Sequence, residues 1–335
     1  MGYAKEKEKV EREIRKIKRI LLIITVTFVV ALVVFSAFYP PSIWKYYVGL
    51  PKVGKRVEGE MRIHFIDVGQ GDATLIELPD GKIVLIDGGD ATKQTEKQLL
   101  RHLNALKIKT IDYMVVTHAD SDHCGGLAAV LAHKTVKRVY LPKTRSTVNE
   151  AYAKFYAAVE KERVEEGCKT FYANRMNLFD GISSTEYKIS FLYPYSSEII
   201  DENESNNASA VVWLDYRGVS ALFTGDATLE VEEILLRDEN DLDLMGFYGV
   251  DLKSTEILKV SHHGSRYATS AEFIEFLGVE TAVISCGKDN AYNHPSETVL
   301  NVLKDANAAV YRTDTQGSVI ITVKKDGVYT AKTLG

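Results

Sequence analysis

Six consecutive residues, His118-Ala119-Asp120-Ser121-Asp122-His123, carry four side chains that ligate metal ions. They directly follow an apolar run at 114–116 and precede Cys124-Gly125-Gly126. A buried strand ending in a tight turn can aim several side chains at one point on a sheet edge. Imidazoles and carboxylates packed this densely are costly to desolvate unless a cation holds them. A polar loop of accidental spacing explains four donors in six positions poorly. Three later segments repeat the form, an apolar run that leads into ligand-type residues. Residues 221–223 lead to Thr224-Gly225-Asp226, residues 257–260 to Ser261-His262-His263-Gly264-Ser265, and residues 282–285 to Asn293-His294-Pro295. Alone, Asp226 is an ordinary turn residue and His294 an ordinary surface histidine. Together these segments place five of the eight histidines at such strand ends, which is how ligands from distant positions assemble on one divalent-metal site.

The elements that must position these residues are legible as short runs separated by turn signals. Apolar runs at 61–68, 73–78 and 83–86, divided by Gly69-Gln70-Gly71-Asp72 and Pro79-Asp80-Gly81, predict a β-meander. Further strands are expected at 111–116, 136–141, 188–192, 210–216, 221–223, 257–260, 282–285 and 319–323. Helical spacing is found at 96–106, 127–134, 149–166, 230–237, 271–277 and 297–306. Strands in runs with interspersed helices predict an α+β domain of sheets covered by helices. His64 alternates within a strand and reads as a packed residue, His102 and His133 read as solvent-facing helical residues, and Cys124 as a small buried one.

The chain has 335 residues, 45% hydrophobic and 26% charged, with three widely spaced cysteines. This excludes a disordered chain and a disulfide-stapled scaffold. The net charge of −5 conceals a division. Residues 20–39 are uncharged and long enough, at about 1.5 Å per residue, to cross a membrane as a helix. Eight Lys/Arg precede them. The positive-inside bias predicts a single span with residues 1–19 in the cytoplasm, 40–60 as a linker, and 61–335 as an extracytoplasmic domain. A cleaved signal peptide is the rival reading, but the apolar run exceeds the usual length of about 7–15 residues. Residues 1–60 hold 12 basic and 6 acidic side chains, which leaves 29 and 40 for 61–335. The exported part is therefore near −11, a charge that opposes binding of nucleic acid through its phosphates.

Taken together, D-V-G-Q-G-D-A at 67–73, I-D-G-G at 86–89, T-H-x-D-x-D-H-x-G-G at 117–126, T-G-D at 224–226 and S-H-H-G-S at 261–265 resemble the metallo-β-lactamase superfamily. The pattern is most similar to the C-terminal metallohydrolase domain of ComEC-type competence (DNA-uptake) proteins. The resemblance implies a four-layer αββα sandwich, here preceded by the transmembrane helix, with a dinuclear site of Zn²⁺ or Mn²⁺ at one edge of its two sheets. Carried over residue by residue, it implies that His118 and Asp120 hold one ion and Asp122 and His123 the other. Asp226 would bridge them, His263 (or His262) would complete the second site, and Asp87 would orient the ligand turn.

Two departures stand out from the superfamily's commoner H-x-H-x-D-H. Asp120 occupies the place of the second histidine, and no histidine lies between His133 and His262. Asn206, Asn207 or Ser209 occupies the matching stretch. The resulting site is harder and poorer in nitrogen, which shifts its preference toward Mn²⁺ or weakly held Zn²⁺. Two bridged divalent ions lower the pKa of a shared water and neutralise charge on a reacting oxygen, so the expected activity is hydrolysis. Asp122, His262 and His294 are the expected catalytic side chains, Asp122 orienting the nucleophile and the two histidines binding the substrate oxyanion. The expected substrate is a phosphodiester, with DNA as the version that the resemblance implies, and nothing calls for an organic cofactor. A carbonyl hydrolase of lactonase or β-lactamase type, and a non-catalytic binding module tethered to the membrane, are the competing readings.

Overall fold

From Met61 onward, short apolar runs punctuated by Gly, Pro and Asp fold into two sheets. The computed structural model describes residues 2–38, 40–145, 149–175, 184–195, 202–242 and 249–335. The chain divides into two compact units, Met1–Gly49 and Leu50–Gly335. In the first unit a helix spans Gly2–Phe38 and a short turn of helix follows at Pro41–Trp44. Among the described residues, the segment Lys5–Phe38 is long and apolar enough to cross a membrane. Pro40 ends it because proline offers no amide donor and clashes with the preceding turn.

In the second unit one sheet has eight strands, in the order Tyr329–Thr333, Val319–Val323, Met61–Phe65, Thr74–Glu77, Ile83–Ile86, Tyr113–Val115, Arg138–Leu141 and Lys169–Tyr172. The expected meander forms its antiparallel part, and pairing turns parallel from Ile83–Ile86 onward. The other sheet has six strands, Ala309–Arg312, Thr281–Ile284, Ile257–Lys259, Val219–Phe223, Val211–Tyr216 and Tyr187–Tyr193. Val219–Phe223, Ile257–Lys259 and Thr281–Ile284 run parallel to one another. Their carboxyl ends therefore share one edge, where loops can converge.

Side-chain alternation explains why the sheets stack. Ile63, Phe65, Ile86 and Val115 of one sheet form a common buried core with Val212, Phe223, Ile257 and Val283 of the other. The Phe65 and Phe223 ring centroids are 6.2 Å apart. One residue out of phase, Leu222, Leu258, Ala282 and Ile284 face away from that core. They pack instead with Val231, Leu235, Phe273, Ile274, Val299 and Leu303 of the helices Leu229–Leu242, Ala271–Leu277 and Glu297–Asp305. Each large apolar side chain so buried is worth about 1.5–3 kcal/mol. On the far face of the eight-stranded sheet lies the helix Lys93–Ala105, joined to it by His102 Nε2 at 3.0 Å from His64 Nδ1. Helix, sheet, sheet and helix make the four-layer αββα sandwich. Ser, Thr and Asn side chains cap the helices at Thr92, Asn149, Ser270 and Ser296, each accepting a backbone amide from the first turn.

Two features differ from expectation. His102 is buried, not solvent-facing, because its ring closes a polar chain of Arg62, Glu77 and His64 inside the sheet–helix interface. His133 is exposed and Cys124 fully buried, as their patterns suggest. The strands Lys169–Tyr172, Ala309–Arg312 and Tyr329–Thr333 were not expected. All three are sheet edges whose solvent-facing residues hide the apolar alternation.

Candidate metal centre

The turn after strand Tyr113–Val115 is shaped by backbone contacts that leave no room for side chains. Gly71 has φ +110°, and a Cβ there would lie 2.1 Å from the Asp122 carbonyl oxygen, so only glycine fits. With Gly71 in place, the Asp72 amide donates to that carbonyl at 3.0 Å and the Gly88 amide donates to the His123 carbonyl at 2.7 Å. The first two motifs thus clamp the H-A-D-S-D-H turn from both sides.

Asp72, His123, Asp226 and His263 form the tightest group. One donor atom from each lies within 4.8 Å of every other, and all four residues are buried. His123 Nε2 is 3.1 Å from Asp226 Oδ1, and His263 Nε2 is 3.2 Å from Asp122 Oδ2 and 3.5 Å from Asp226 Oδ2. His118 Nε2 lies 3.6 Å from Asp120 Oδ2, with its ring 4.1 Å from that of His123. All six residues expected as ligands therefore gather in one place. His262 stands at the rim, partly exposed, with Nε2 3.6 Å from Asp226 Oδ2. The His294 ring is 5.7 Å from that of His262 and 6.3 Å from that of His263. His262 and His263 adopt φ of 49° and 55°. Strain of this kind costs on the order of 1–3 kcal/mol per residue and clusters at functional sites.

Each imidazole is oriented from behind. His123 Nδ1 is 2.9 Å from Asp87 Oδ2, His263 Nδ1 is 2.9 Å from the Ser285 carbonyl oxygen, and His118 Nδ1 lies between Thr117 Oγ1 and Ser209 Oγ at 3.1 and 3.3 Å. Backing of this kind fixes the ring and its tautomer in metal sites. Ser209 also accepts the Asp226 amide at 3.1 Å, and Ser205 Oγ donates to Asp120 at 2.6 Å. The stretch that matches the superfamily's further histidine therefore supplies hydroxyls that support other donors.

The front-facing atoms test whether cations fit. His118 Nε2, His123 Nε2, His263 Nε2, Asp226 Oδ1 and Asp72 Oδ1 are buried, and none is satisfied by a hydrogen bond. Buried donors and acceptors are almost always satisfied. Four of the residues that carry them, Asp72, His123, Asp226 and His263, bring donor atoms within 4.8 Å of one another, with the His118 ring against that of His123, an arrangement that suits a cation. Charge agrees, since five carboxylates (Asp72, Asp87, Asp120, Asp122, Asp226) meet one buried ammonium, Lys259. Burial alone would lower the His123 pKa, but Asp226 and Asp87 hold it well above the ordinary imidazole value. His263 is likewise disfavoured by burial yet raised to about 10 by Asp226, Asp72 and Asp122. Burial would raise Asp226, but His123 and His263 keep it well below the usual carboxylate range. The protein field thus favours positive charge at this point. His294 differs, because burial and then the neighbouring His263 and His262 lower it to about 4.

Two participants were missed from sequence. Asp72 was read only as part of a turn motif, yet it belongs to the tightest donor group. Lys259 ends a buried strand, with Nζ 2.7 Å from Asp72 Oδ2 and 2.7 Å from the Val260 carbonyl oxygen. A lone charge between Leu258 and Val260 was the available signal. Burial would raise Asp72, and Lys259 followed by His263 holds it down.

Comparison with known proteins places this geometry in context. Residues 66–288 match the metallo-beta-lactamase superfamily. The chain is 32% identical over 282 residues to ComE operon protein 3 of Bacillus subtilis, an alignment that covers 78% of this chain and 33% of that protein. It is 30% identical over 271 residues to competence protein ComA of Neisseria gonorrhoeae, covering 81% and 33%. The chain thus spans about a third of the length of these curated relatives. Among solved structures, the E377D mutant of CmlA beta-hydroxylase is similar with a TM-score of 0.47 and 10% identity, over 81% of this chain and 55% of that one.

Proposed function

The chain belongs to the metallo-β-lactamase superfamily, and from that premise we propose a membrane-anchored phosphodiesterase, dependent on divalent metal, that acts outside the cytoplasm. The observation that carries this reading is the buried group of Asp72, His123, Asp226 and His263, whose nitrogen and carboxylate atoms lie within 4.8 Å of one another and include several left without a hydrogen bond. Four aspartates against three imidazoles make a hard, oxygen-rich donor set, suited to ions that neutralise phosphoryl oxygens. His118 and Asp120 would hold one ion, and His123, His263, Asp122 and Asp72 the other, with Asp226 shared. Zn²⁺ or Mn²⁺ bound there would supply Lewis acidity and a nucleophile from water at neutral pH.

The remaining roles belong to this chain's own side chains. His294, kept neutral by burial and its histidine neighbours, can donate a hydrogen bond to a phosphoryl oxygen without adding charge. Its Nδ1 and that of His262 are buried and otherwise unsatisfied. Asp122, whose carboxylate contacts His263 and, at 3.5 Å, Gln70 Nε2, is placed to orient an attacking water. Lys259 holds Asp72 ionised and fixed. The helix Gly2–Phe38, with basic residues concentrated before its apolar part, would tether the catalytic unit with its N-terminus in the cytoplasm.

The test is to purify the full chain in detergent, measure metal content, and assay bis(p-nitrophenyl) phosphate and DNA with Mn²⁺ and Zn²⁺. Turnover that is abolished by Asp226→Asn supports the reading. Absence of turnover of any phosphodiester with either ion overturns it, and hydrolysis of a lactone instead would favour a carbonyl hydrolase.

A further inference from the structure

The helix Gly2–Phe38 carries a pattern that membrane crossing alone does not require. Within residues 2–19 the large apolar side chains are Tyr3, Val10, Ile14 and Ile17, set among eight Lys/Arg and four Glu. Their spacings of seven, four and three put all four on one stripe of an α-helix. The same spacing reaches Leu21 and Ile24, so the stripe runs for three heptads and enters the uncharged segment. Inside that segment an apolar side chain faces lipid at no cost. Outside it the stripe faces water, with Val10 53% and Ile14 45% exposed. The bilayer surface does not cover it. Each headgroup layer is about 5–7 Å deep. Ile14 and Val10 precede Ile20 by six and ten residues on one continuous helix, which sets them about 9 and 15 Å out.

We infer that this stripe is the seam of a parallel two-stranded coiled coil and that its partner is a second copy of this chain. The inference goes beyond the phosphodiesterase reading and does not depend on it. Two copies inserted the same way in one membrane can pair only in parallel. In the heptad, Lys7, Ile14 and Leu21 take a positions, and Tyr3, Val10, Ile17 and Ile24 take d positions. A polar residue at one a position, as Lys7 is, fixes register at some cost in stability. Charge beside the seam complements a like partner. A g position meets the e position five residues on in the other strand, which sets Glu13 against the partner's Lys18. Lys16, on the outer face, steadies Glu13 at 2.8 Å. The outermost pair, Glu6 against the partner's Glu11, is like-charged, and Lys7 lies beside the partner's Glu6 to offset it. Lys5, Lys9, Arg12, Arg15, Lys16 and Arg19 fall at b, c and f positions, away from the seam, where the positive charges of two copies stay apart. Three heptads are the lower end of what marks a coiled coil. Two helices aligned in one membrane meet at a raised effective concentration, which favours even a short seam.

The test reconstitutes the full chain in phosphatidylcholine vesicles, carrying either Ile14→Cys on the seam or Arg12→Cys off it, and oxidises it with copper phenanthroline. Cys124, Cys168 and Cys286 are buried, and the unsubstituted chain gives the blank. Two cysteines bond only where their Cα atoms come within about 7 Å, so Ile14→Cys is expected to give a band at twice 37.4 kDa that is at least about fivefold stronger than that of Arg12→Cys. Adding Glu13→Lys to Ile14→Cys is expected to lower that yield, and adding Lys18→Glu as well to restore it. Light scattering of the unsubstituted chain in detergent is expected to read a dimer, and Ile14→Glu with Ile17→Glu to weaken association at least about tenfold. Melting and metal content are expected to stay at wild-type values, since Leu50–Gly335 is a compact unit by itself. Equal disulfide yields at positions 12 and 14 would leave the stripe to lipid and overturn the inference. A dimer that survives Ile14→Glu with Ile17→Glu would place the contact elsewhere and overturn it too. Neither readout needs turnover, so both stay distinct from a failure of the hydrolytic reading.

Discussion

Replacing Asp87 by Asn changes one atom and tests whether the back of the site controls its front. Asp87 has φ 59°, a region that asparagine enters readily, so no new backbone strain is introduced. Its Oδ1 accepts the Thr117 amide at 2.9 Å, and its Oδ2 accepts Thr117 Oγ1 at 2.7 Å and His123 Nδ1 at 2.9 Å. A carboxylate only accepts, so it fixes the proton on Nδ1 and leaves Nε2 free to face Asp226. In the variant, if the amide oxygen keeps the Thr117 N–H, the NH₂ group faces His123 Nδ1. Two donors then meet, or the imidazole moves its proton to Nε2 and blocks the nitrogen that would bind metal. The flipped amide presents NH₂ to the buried Thr117 N–H instead. Each arrangement forfeits a buried, charge-assisted hydrogen bond worth about 1.5–3 kcal/mol. Loss of a partner behind a metal-binding histidine typically lowers metal affinity about 10–100-fold, or about 1.4–2.7 kcal/mol, and the two ranges agree. Titration of the full chain in detergent with Zn²⁺ or Mn²⁺ against a fluorescent chelator reads the change. Melting of the metal-free protein separates it from loss of fold. Wild-type affinity in Asp87→Asn would show that His123 does not depend on this contact and would refute the reasoning.

Two further predictions concern buried charge. Lys259→Met leaves the Asp72 carboxylate without its ammonium partner, and breaking a buried pair on one side costs about 3–5 kcal/mol. Urea unfolding of the metal-free chain should show that loss, with part of it recovered on adding Mn²⁺; a change below about 1 kcal/mol would mean that the pair is not formed. His64 and His102 are lowered by burial, His102 well below the ordinary value, with His64 partly countered by Glu77. The folded state therefore keeps His102 neutral while the unfolded chain takes up a proton near pH 6.5, so stability is full above that value and declines as pH falls below it. His102→Gln should reduce the loss between pH 6.5 and 5.5 by about 1 kcal/mol relative to wild type. A stability difference between the two proteins that stays constant across that interval would show that His102 is not held neutral.

The strand ends were legible because burial and ligation make opposite demands that the sequence must meet within a few residues. Apolar side chains run to the end of a parallel strand, and donors begin three residues on, as at Val115 to His118 and Phe223 to Asp226. The edge strands lacked this contrast, since one side of Lys169–Tyr172 and Tyr329–Thr333 faces solvent. His102 failed for a related reason. Its helical position set its direction, but what it faced was the Arg62–Glu77–His64 chain on another element, and only strand pairing brings that chain together.

Asp72 and Lys259 show a deeper limit. Asp72 lies in a Gly-rich turn, where aspartate is the ordinary choice, and Lys259 is one charge in an otherwise apolar strand. Neither is informative by spacing, because they lie 187 positions apart in sequence and meet only when the two sheets stack. Their meeting changes the electrostatics of the whole site. One oxygen of Asp72 is held by Lys259 and the other faces His263, so Asp72 stays ionised in a position where burial would otherwise protonate it. Asp226 first, then that held charge and Asp122, raise His263 to about 10 against the effect of burial. A lysine that contributes no ligand atom thereby strengthens the demand for positive charge at the donor cluster. It also means that part of the acid excess of residues 61–335 is compensated within the site, where the Lys259 ammonium pairs with Asp72.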